Sequence, residues 1–170
     1  MHLVFETPRL WLRRFTLADT DLLLRLNSDP EVLKYLHEPL LHDEEHAQQI
    51  LRDNILPQYF KNLGRWAVFT RGDNQFIGWC GLKHRQDLNE IDLGYRFLPI
   101  AWGKGYATEA SQETLHHGFH QLSLPLITGR AHIHNIASIK VLQKIGMQYK
   151  GEGIVDNCPV HTYTAVNPFN

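Results

Sequence analysis

Apolar residues recur along this chain with two periods, and the order of those periods sets the class of fold. Arg9-Leu10-Trp11-Leu12-Arg13 alternates behind Pro8, which predicts a short strand. Leu17 to Asn27 carries a leucine-rich face at helical spacing, with Thr16 placed to cap it. A second helix is predicted over Asp43 to Tyr59. Its acidic start suits the helix dipole, and Pro57 limits its end.

The middle of the chain reads as strands at Arg65–Thr70, Phe76–His84 and Glu90–Leu98. The turn Gly72-Asp73-Asn74 makes the first two an antiparallel hairpin. Ala107, Ala110, Ser111, Thr114, Leu115, Gly118 and Leu122 then fall on one helical face, predicting an amphipathic helix that lies on the sheet. A strand over Leu126–His134, a helix over Ile136–Ile145 stopping at Gly146, and a last strand over His161–Val166 complete the series. An antiparallel meander feeding a β-α-β unit gives an α/β fold with a mixed, mostly antiparallel sheet. The absence of repeats or linker-like stretches puts residues 1–170 in one domain.

Composition narrows the function. Hydrophobic residues make up 43% and charged residues 21%, near the averages for soluble globular proteins. With 17 Lys and Arg against 18 Asp and Glu, there is no overall charge to draw in nucleic acid or an anionic membrane. Cys80 and Cys158 form no CxxC pair. With no signal-peptide core in residues 1–10 and no long apolar run, the expectation is a cytoplasmic protein.

The segment with chemical content is Trp102-Gly103-Lys104-Gly105-Tyr106-Ala107-Thr108, a turn between a strand and a helix. The first turn of a helix has backbone N–H groups with no intrahelical partner and carries partial positive charge, so anions bind there. Gly103 and Gly105 let the main chain approach a phosphate, and Lys104 adds a charge. The P-loop pattern is absent, and Thr108 occupies the third glycine position of the Rossmann fingerprint. Period two also puts Glu90, Asp92, Gly94 and Arg96 on one face of their strand, and Ile91, Leu93, Tyr95 and Phe97 on the other.

Two motifs at this separation, Trp102 to Ala110 and Asn135-x-x-Ser138-x-Lys140-Val141-Leu142-x-Lys144-Ile145-Gly146, resemble the GCN5-related N-acetyltransferase (GNAT) superfamily, and within it the RimJ/RimL-like branch. The resemblance runs from Thr7-Pro8-Arg9-Leu10 to Tyr163. It implies a sheet whose fourth and fifth strands splay apart, about four helices, and acetyl-CoA as acetyl donor with no metal. The pantetheine arm would pair with backbone at Phe97, Leu98 and Pro99, and the N–H near Phe97 would hold the thioester oxygen. The pyrophosphate would sit on Trp102 to Thr108, and Asn135 would contact the pantetheine amide.

Ser138 matches a position that protonates the leaving thiolate, and Asp92 stands where the branch commonly has Glu as base. Plainer readings stand beside these roles. Asp92 can be a solvated carboxylate or a partner of Arg96, with Glu90 or a water chain as base instead. Asn135 suits a helix cap, and Ser138 can satisfy a local donor.

The implied acceptor is a primary amine, a protein or peptide N-terminal α-amine first, with a polyamine, antibiotic or amino acid as the small-molecule alternative. A CoA-binding sensor without catalysis is the alternative of another class, and the unit is expected as a monomer or homodimer. His42-Asp43-Glu44-Glu45-His46 formally matches a zinc motif, but it falls at a helix start, where acidic residues have an ordinary role. His132 and His134 are read on one strand face with Arg130, bordering the acceptor pocket or the surface. His116, His117 and His120 are read as surface residues.

Overall fold

The computed structural model describes residues 1–170. Its strands are β1 (Leu3–Glu6), β2 (Leu10–Arg14), β3 (Gly64–Thr70), β4 (Phe76–Arg85), β5 (Glu90–Phe97), β6 (Leu126–His132), β7 (Gln148–Val155) and β8 (Cys158–Val166). They form one sheet in the order β1-β2-β3-β4-β5-β6-β8-β7. Every neighbouring pair is antiparallel except β5 with β6.

The helices are α1 (Thr20–Asn27), α2 (Glu44–Ile50), α3 (Tyr106–His120) and α4 (Ile136–Lys144). Cys80 Sγ lies 3.3 Å from Thr114 of α3, and Tyr95 reaches Ser138 of α4, so both helices cover one face of the sheet. Arg96 reaches Asn27 at the end of α1, which covers the other. The core is continuous through the sheet, with Leu12, Trp66, Leu82, Ile127 and Leu142 among its fully buried members. Trp66 packs edge-on against both Phe5 and His117, so His117 is a half-buried packing residue rather than the surface histidine expected.

Several boundaries differ from expectation for identifiable reasons. Thr16 caps a short 3-10 turn at Leu17–Asp19, and α1 proper starts only at Thr20. The second helix passes through Pro57 by changing its hydrogen bonding: α2 gives way to π-helical turns at Leu51–Ile55 and a 3-10 stretch at Leu56–Lys61. The ring, which has no N–H to donate, falls in the first turn of that last stretch. Strand β6 ends at His132, so His134 lies beyond it, and its N–H donates to His132 Nδ1 at 3.1 Å. Two strands escaped the alternation test. β1 is four residues long, and β7 (QYKGEGIV) is an edge strand with two glycines and mostly exposed positions.

The feature that creates a site is a local failure of pairing. β4 and β5 pair over eight positions, and β6 and β8 over seven. β5 and β6, the fourth and fifth strands of the sequence reading, which did not include β1, share only the bridges Asp92 to Thr128 and Leu93 to Gly129. Each strand is held by its other neighbour, and beyond Leu93 the two part, leaving backbone donors and acceptors along a gap.

Candidate active site

The gap is lined on one side by β5. Leu98 N–H donates to Ile77 at 2.8 Å, so by the alternation of an antiparallel ladder the Phe97 amide faces away from β4 and into the gap. The Phe97 carbonyl, on that same side, accepts the Trp102 indole N–H at 2.9 Å, which closes the gap's end. Phe97 and Leu98 are buried, and a 3-10 turn at Pro99–Ala101 carries the chain from them to the glycine turn.

Gly103 and Gly105 have φ of 73° and 80°, the left-handed region that favours glycine. Gly105 is the N-cap of α3 and offers no side-chain hydrogen bond. Glu109 N–H donates to the Gly105 carbonyl at 3.0 Å, which starts the helix. The N–H groups of Tyr106, Ala107 and Thr108 are thus the uncapped donors at the positive end of a 15-residue helix. A surface concavity of about 500 Å³ adjoins this turn, bordered by Arg9, Arg71, Lys104 and Tyr106.

The turn is fixed from below by residues almost a hundred positions away. Glu109 accepts from Thr7 Oγ1 at 2.6 Å, from the Arg9 backbone at 2.9 Å and from Arg9 Nε at 2.6 Å. Arg9 Nη1 also donates to the Lys104 carbonyl at 2.8 Å, and its guanidinium lies 4.5 Å from the Tyr106 ring centre. Partial burial pushes the Glu109 carboxyl up, but these donors outweigh it and hold it below its ordinary range.

Two groups of side chains flank the gap from opposite faces of the sheet. On the α4 face, Tyr95 Oη and Ser138 Oγ are 2.6 Å apart, and Tyr95 also donates to the Ser138 carbonyl at 3.0 Å. Burial pushes the Tyr95 phenol far up, so it remains protonated. Ser138 is held at the start of α4 because its N–H donates to Asn135 Oδ1 at 3.2 Å. Asn135 is therefore the helix cap that the plainer reading described.

On the other face, Asp92 sits with 23% of its side chain exposed, its buried Oδ1 without a hydrogen-bond donor and 3.7 Å from Arg130 Nη1. Burial pushes its pKa up to about 6, against the pull of Arg130 and Arg85. Glu90 takes the closer contact, accepting from Arg130 Nη2 at 2.7 Å. Arg96 does not pair with Asp92; it donates to Asn27 at 2.8 Å and to Glu38 at 3.0 Å.

Comparison with known proteins places this geometry. Residues 9–148 match the family model described as an acetyltransferase (GNAT) domain. The chain is a GNAT acetyltransferase. It is 33% identical over 149 residues to the N-acetyltransferase p20 of Bacillus licheniformis, covering 85% of this chain and 82% of that one. In fold it is similar to the ribosomal L7/L12 α-N-protein acetyltransferase RimL in complex with coenzyme A, with a TM-score of 0.85, 16% identity, and 99% and 100% of the two chains covered. It is also similar to a spermidine N-acetyltransferase of Vibrio cholerae in complex with CoA and spermine, with a TM-score of 0.79, 17% identity, and 95% and 97% covered.

GNAT acetyltransferases use acetyl-CoA. In this acetyltransferase the expected donor-binding segments, Phe97–Leu98 and Trp102–Thr108, form one continuous path from the gap to the turn. Asp92 and Ser138 stand on opposite sides of β5 rather than together. Sequence reasoning gave no role to Tyr95, although it directly follows Gly94 on the strand that carries Asp92, nor to the Thr7, Arg9 and Glu109 cluster, whose two ends lie in Thr7-Pro8-Arg9-Leu10, where the family resemblance begins, and in the motif Trp102 to Ala110. His42 precedes α2, and Asp43 caps that helix by accepting the His46 N–H at 2.7 Å.

Proposed function

We propose that residues 1–170 act as one catalytic unit of the RimJ/RimL-like branch, moving the acetyl group of acetyl-CoA to the α-amine of a protein or peptide N-terminus. The observation that carries this reading is the gap between β5 and β6, open beyond Leu93, with a carboxylate on one face and a hydroxyl pair on the other. A cytoplasmic location fits such a substrate.

Acetyl-CoA lies along β5, its pyrophosphate on the donors of Gly103 to Thr108 with Trp102 and Lys104 at the rim. The thioester oxygen accepts from the Phe97 N–H. This fixed donor holds the oxyanion as the tetrahedral intermediate forms.

The amine approaches from the Asp92 face. A carboxylate with a pKa of about 6 is ionised at neutral pH and basic enough to take the proton as nitrogen attacks, relayed through water because Asp92 stands five positions before Phe97, about 16 Å along the strand. An α-amine, with an ordinary pKa of about 8, is more readily deprotonated by such a group than a lysine. The C–N bond forms, the C–S bond breaks, and the thiolate leaves towards α4. Ser138 donates a hydrogen bond to it there, and the Tyr95 phenol, which has one proton, turns that proton from the Ser138 carbonyl to the Ser138 hydroxyl as it does so. The proton taken by Asp92 and the one gained by sulfur balance through solvent, giving the N-acetyl product and free CoA thiol.

Thiol release from acetyl-CoA over N-terminal peptides, polyamines and aminoglycosides tests the proposal, with calorimetry of CoA binding beside it. Saturable turnover of peptides is the expected result. CoA binding without turnover of any amine would point to a sensor, and turnover of polyamines alone would overturn the peptide acceptor.

A further inference from the structure

One carboxylate on the acceptor side of the sheet is left without a hydrogen bond while its charged neighbours pair with one another. Arg85 is shared by Asp87 and Asp156, Arg96 is tied to Asn27 and Glu38, and Arg130 donates to Glu90. Asp92 lies among these pairs with its buried Oδ1 unpartnered, although Lys83 stands directly across from it on β4. Arg65, farther off on β3, is held 4.8 Å from the centre of the Trp79 ring.

The only cation within ion-pair range of Asp92 is Arg130, whose Nη1 lies 3.7 Å from that Oδ1. Nη1 and Nε of Arg130 are themselves buried and without partners, so an unpaired donor faces an unpaired acceptor across a distance too long for a hydrogen bond. What holds them apart is the other end of the guanidinium. By the β5–β6 register Arg130 stands level with Gly94, two positions past Asp92 and four past Glu90. Its side chain therefore runs back past Asp92 to put Nη2 2.7 Å from Glu90 Oε2. An arginine can grip one carboxylate through two parallel N–H bonds; here one N–H goes to Glu90 and the adjoining edge is left facing Asp92.

We propose that Glu90 is a positioning residue acting through Arg130: it draws the guanidinium past Asp92 and so keeps that carboxylate free to receive the acceptor's proton. The proposal rests on the acetyl-transfer reading above, in which Asp92 ends the water relay, and adds how that group is kept basic. A carboxylate in a full ion pair with arginine is a weak base, because the pair favours its ionised form. Burial pushes the Asp92 carboxyl up, Arg130 pulls it down, and Glu90 pushes it up again. With Glu90 neutral, Arg130 has Asp92 as its nearest anion, and closing from 3.7 Å to a charge-assisted contact quenches the base. Lys83 and Arg85 pull Asp92 in the same direction as Arg130, while Glu38 is engaged by Arg96.

The test follows the Asp92 carboxyl itself, by NMR of protein carrying 13C-labelled aspartate, with the resonance assigned by its loss in Asp92→Asn. In wild type the titration midpoint is expected at about 6. Glu90→Gln, which keeps the size of the side chain, is expected to lower that midpoint by about 1 to 2. Part of the fall comes from the lost charge of Glu90 alone, so the same substitution is also made in Arg130→Met, where the fall is expected to be less than half as large. In parallel, thiol release is measured against pH with the best acceptor among N-terminal peptides and polyamines. The acid limb of kcat/KM is expected to move to lower pH in Glu90→Gln, and the plateau to fall by about 3- to 10-fold, as for a weaker general base.

An unchanged midpoint in Glu90→Gln would overturn the proposal. So would an equal fall with and without Arg130, which would mean that Glu90 acts on Asp92 by its charge and not through the guanidinium. CoA affinity by calorimetry is expected to be the same in Glu90→Gln as in wild type, and its loss would mark a structural role instead. A fall in midpoint that needs Arg130, with the kcat/KM limb left where it was, would uphold Glu90 as the residue that sets Arg130 while rejecting Asp92 as the base.

Discussion

Replacing Asp92 by Asn is expected to make the protein more stable and nearly inactive, and the size of the first effect follows from the site. The carboxyl is pushed from an ordinary 3.8 up to about 6 by burial that Arg130, at 3.7 Å, does not offset. Each unit corresponds to about 1.4 kcal/mol, so ionised Asp92 costs the folded state up to about 3 kcal/mol at pH 8. The sign is fixed by the direction of the shift. A raised acid is without penalty below its unfolded pKa, acquires the penalty as pH rises through the interval between 3.8 and about 6, and keeps it above.

Urea unfolding of wild type and Asp92→Asn at pH 8 and pH 5 reads this directly. The variant is expected to unfold at higher urea at pH 8, by roughly 1–1.5 M for an m-value near 2 kcal/mol/M, and by about half that at pH 5. Thiol release is expected to fall by about 10²- to 10⁴-fold, the range for loss of a general base. A variant less stable than wild type at pH 8, or a gain that does not shrink at pH 5, would refute the argument from burial.

The pH dependence of kcat/KM in wild type is expected to rise through about 6 as Asp92 ionises, and to rise again where the acceptor amine loses its proton. A profile flat between pH 5 and 7 would remove Asp92 as base. Gly105→Asp places a charged side chain at φ 80°, beside the donors of α3, and is expected to abolish CoA binding by calorimetry. Unchanged affinity would refute the phosphate site. Ser138→Ala is expected to lower kcat by about 10-fold or more with little change in KM, while Tyr95→Phe lowers it less, because Ser138 still reaches the thiolate. Equal rates for all three proteins would show that the hydroxyl pair has no part in thiolate departure.

Much of the sheet was legible because its central strands alternate cleanly: the period-two reading of β5 placed Asp92 and Arg96 on one face and Tyr95 and Phe97 on the other, as the pairing with β4 confirms. The glycine turn was legible because its chemistry is local. What escaped notice depends on contacts between distant residues. Nothing in the sequence around Arg130 says that it stands within reach of both Glu90 and Asp92, since that depends on where β6 joins β5. Ser138 gave no sign of its contact with Tyr95, 43 residues earlier. β7 was missed because an exposed edge strand needs no apolar face, and Pro57 misled because a helix can change its turn type to accommodate a ring.

The knot at Glu109 ties the first β-turn of the chain to the turn that receives the cofactor, across 102 residues of sequence at Thr7. Donor occupancy therefore has a remote reporter. When phosphate settles on the first turn of α3, the Arg9 and Leu10 amides, which donate to Glu109 and Thr7, lose freedom without touching the ligand. Amide exchange at this N-terminal corner should slow when CoA is added, so the beginning of the chain records what is bound at its middle.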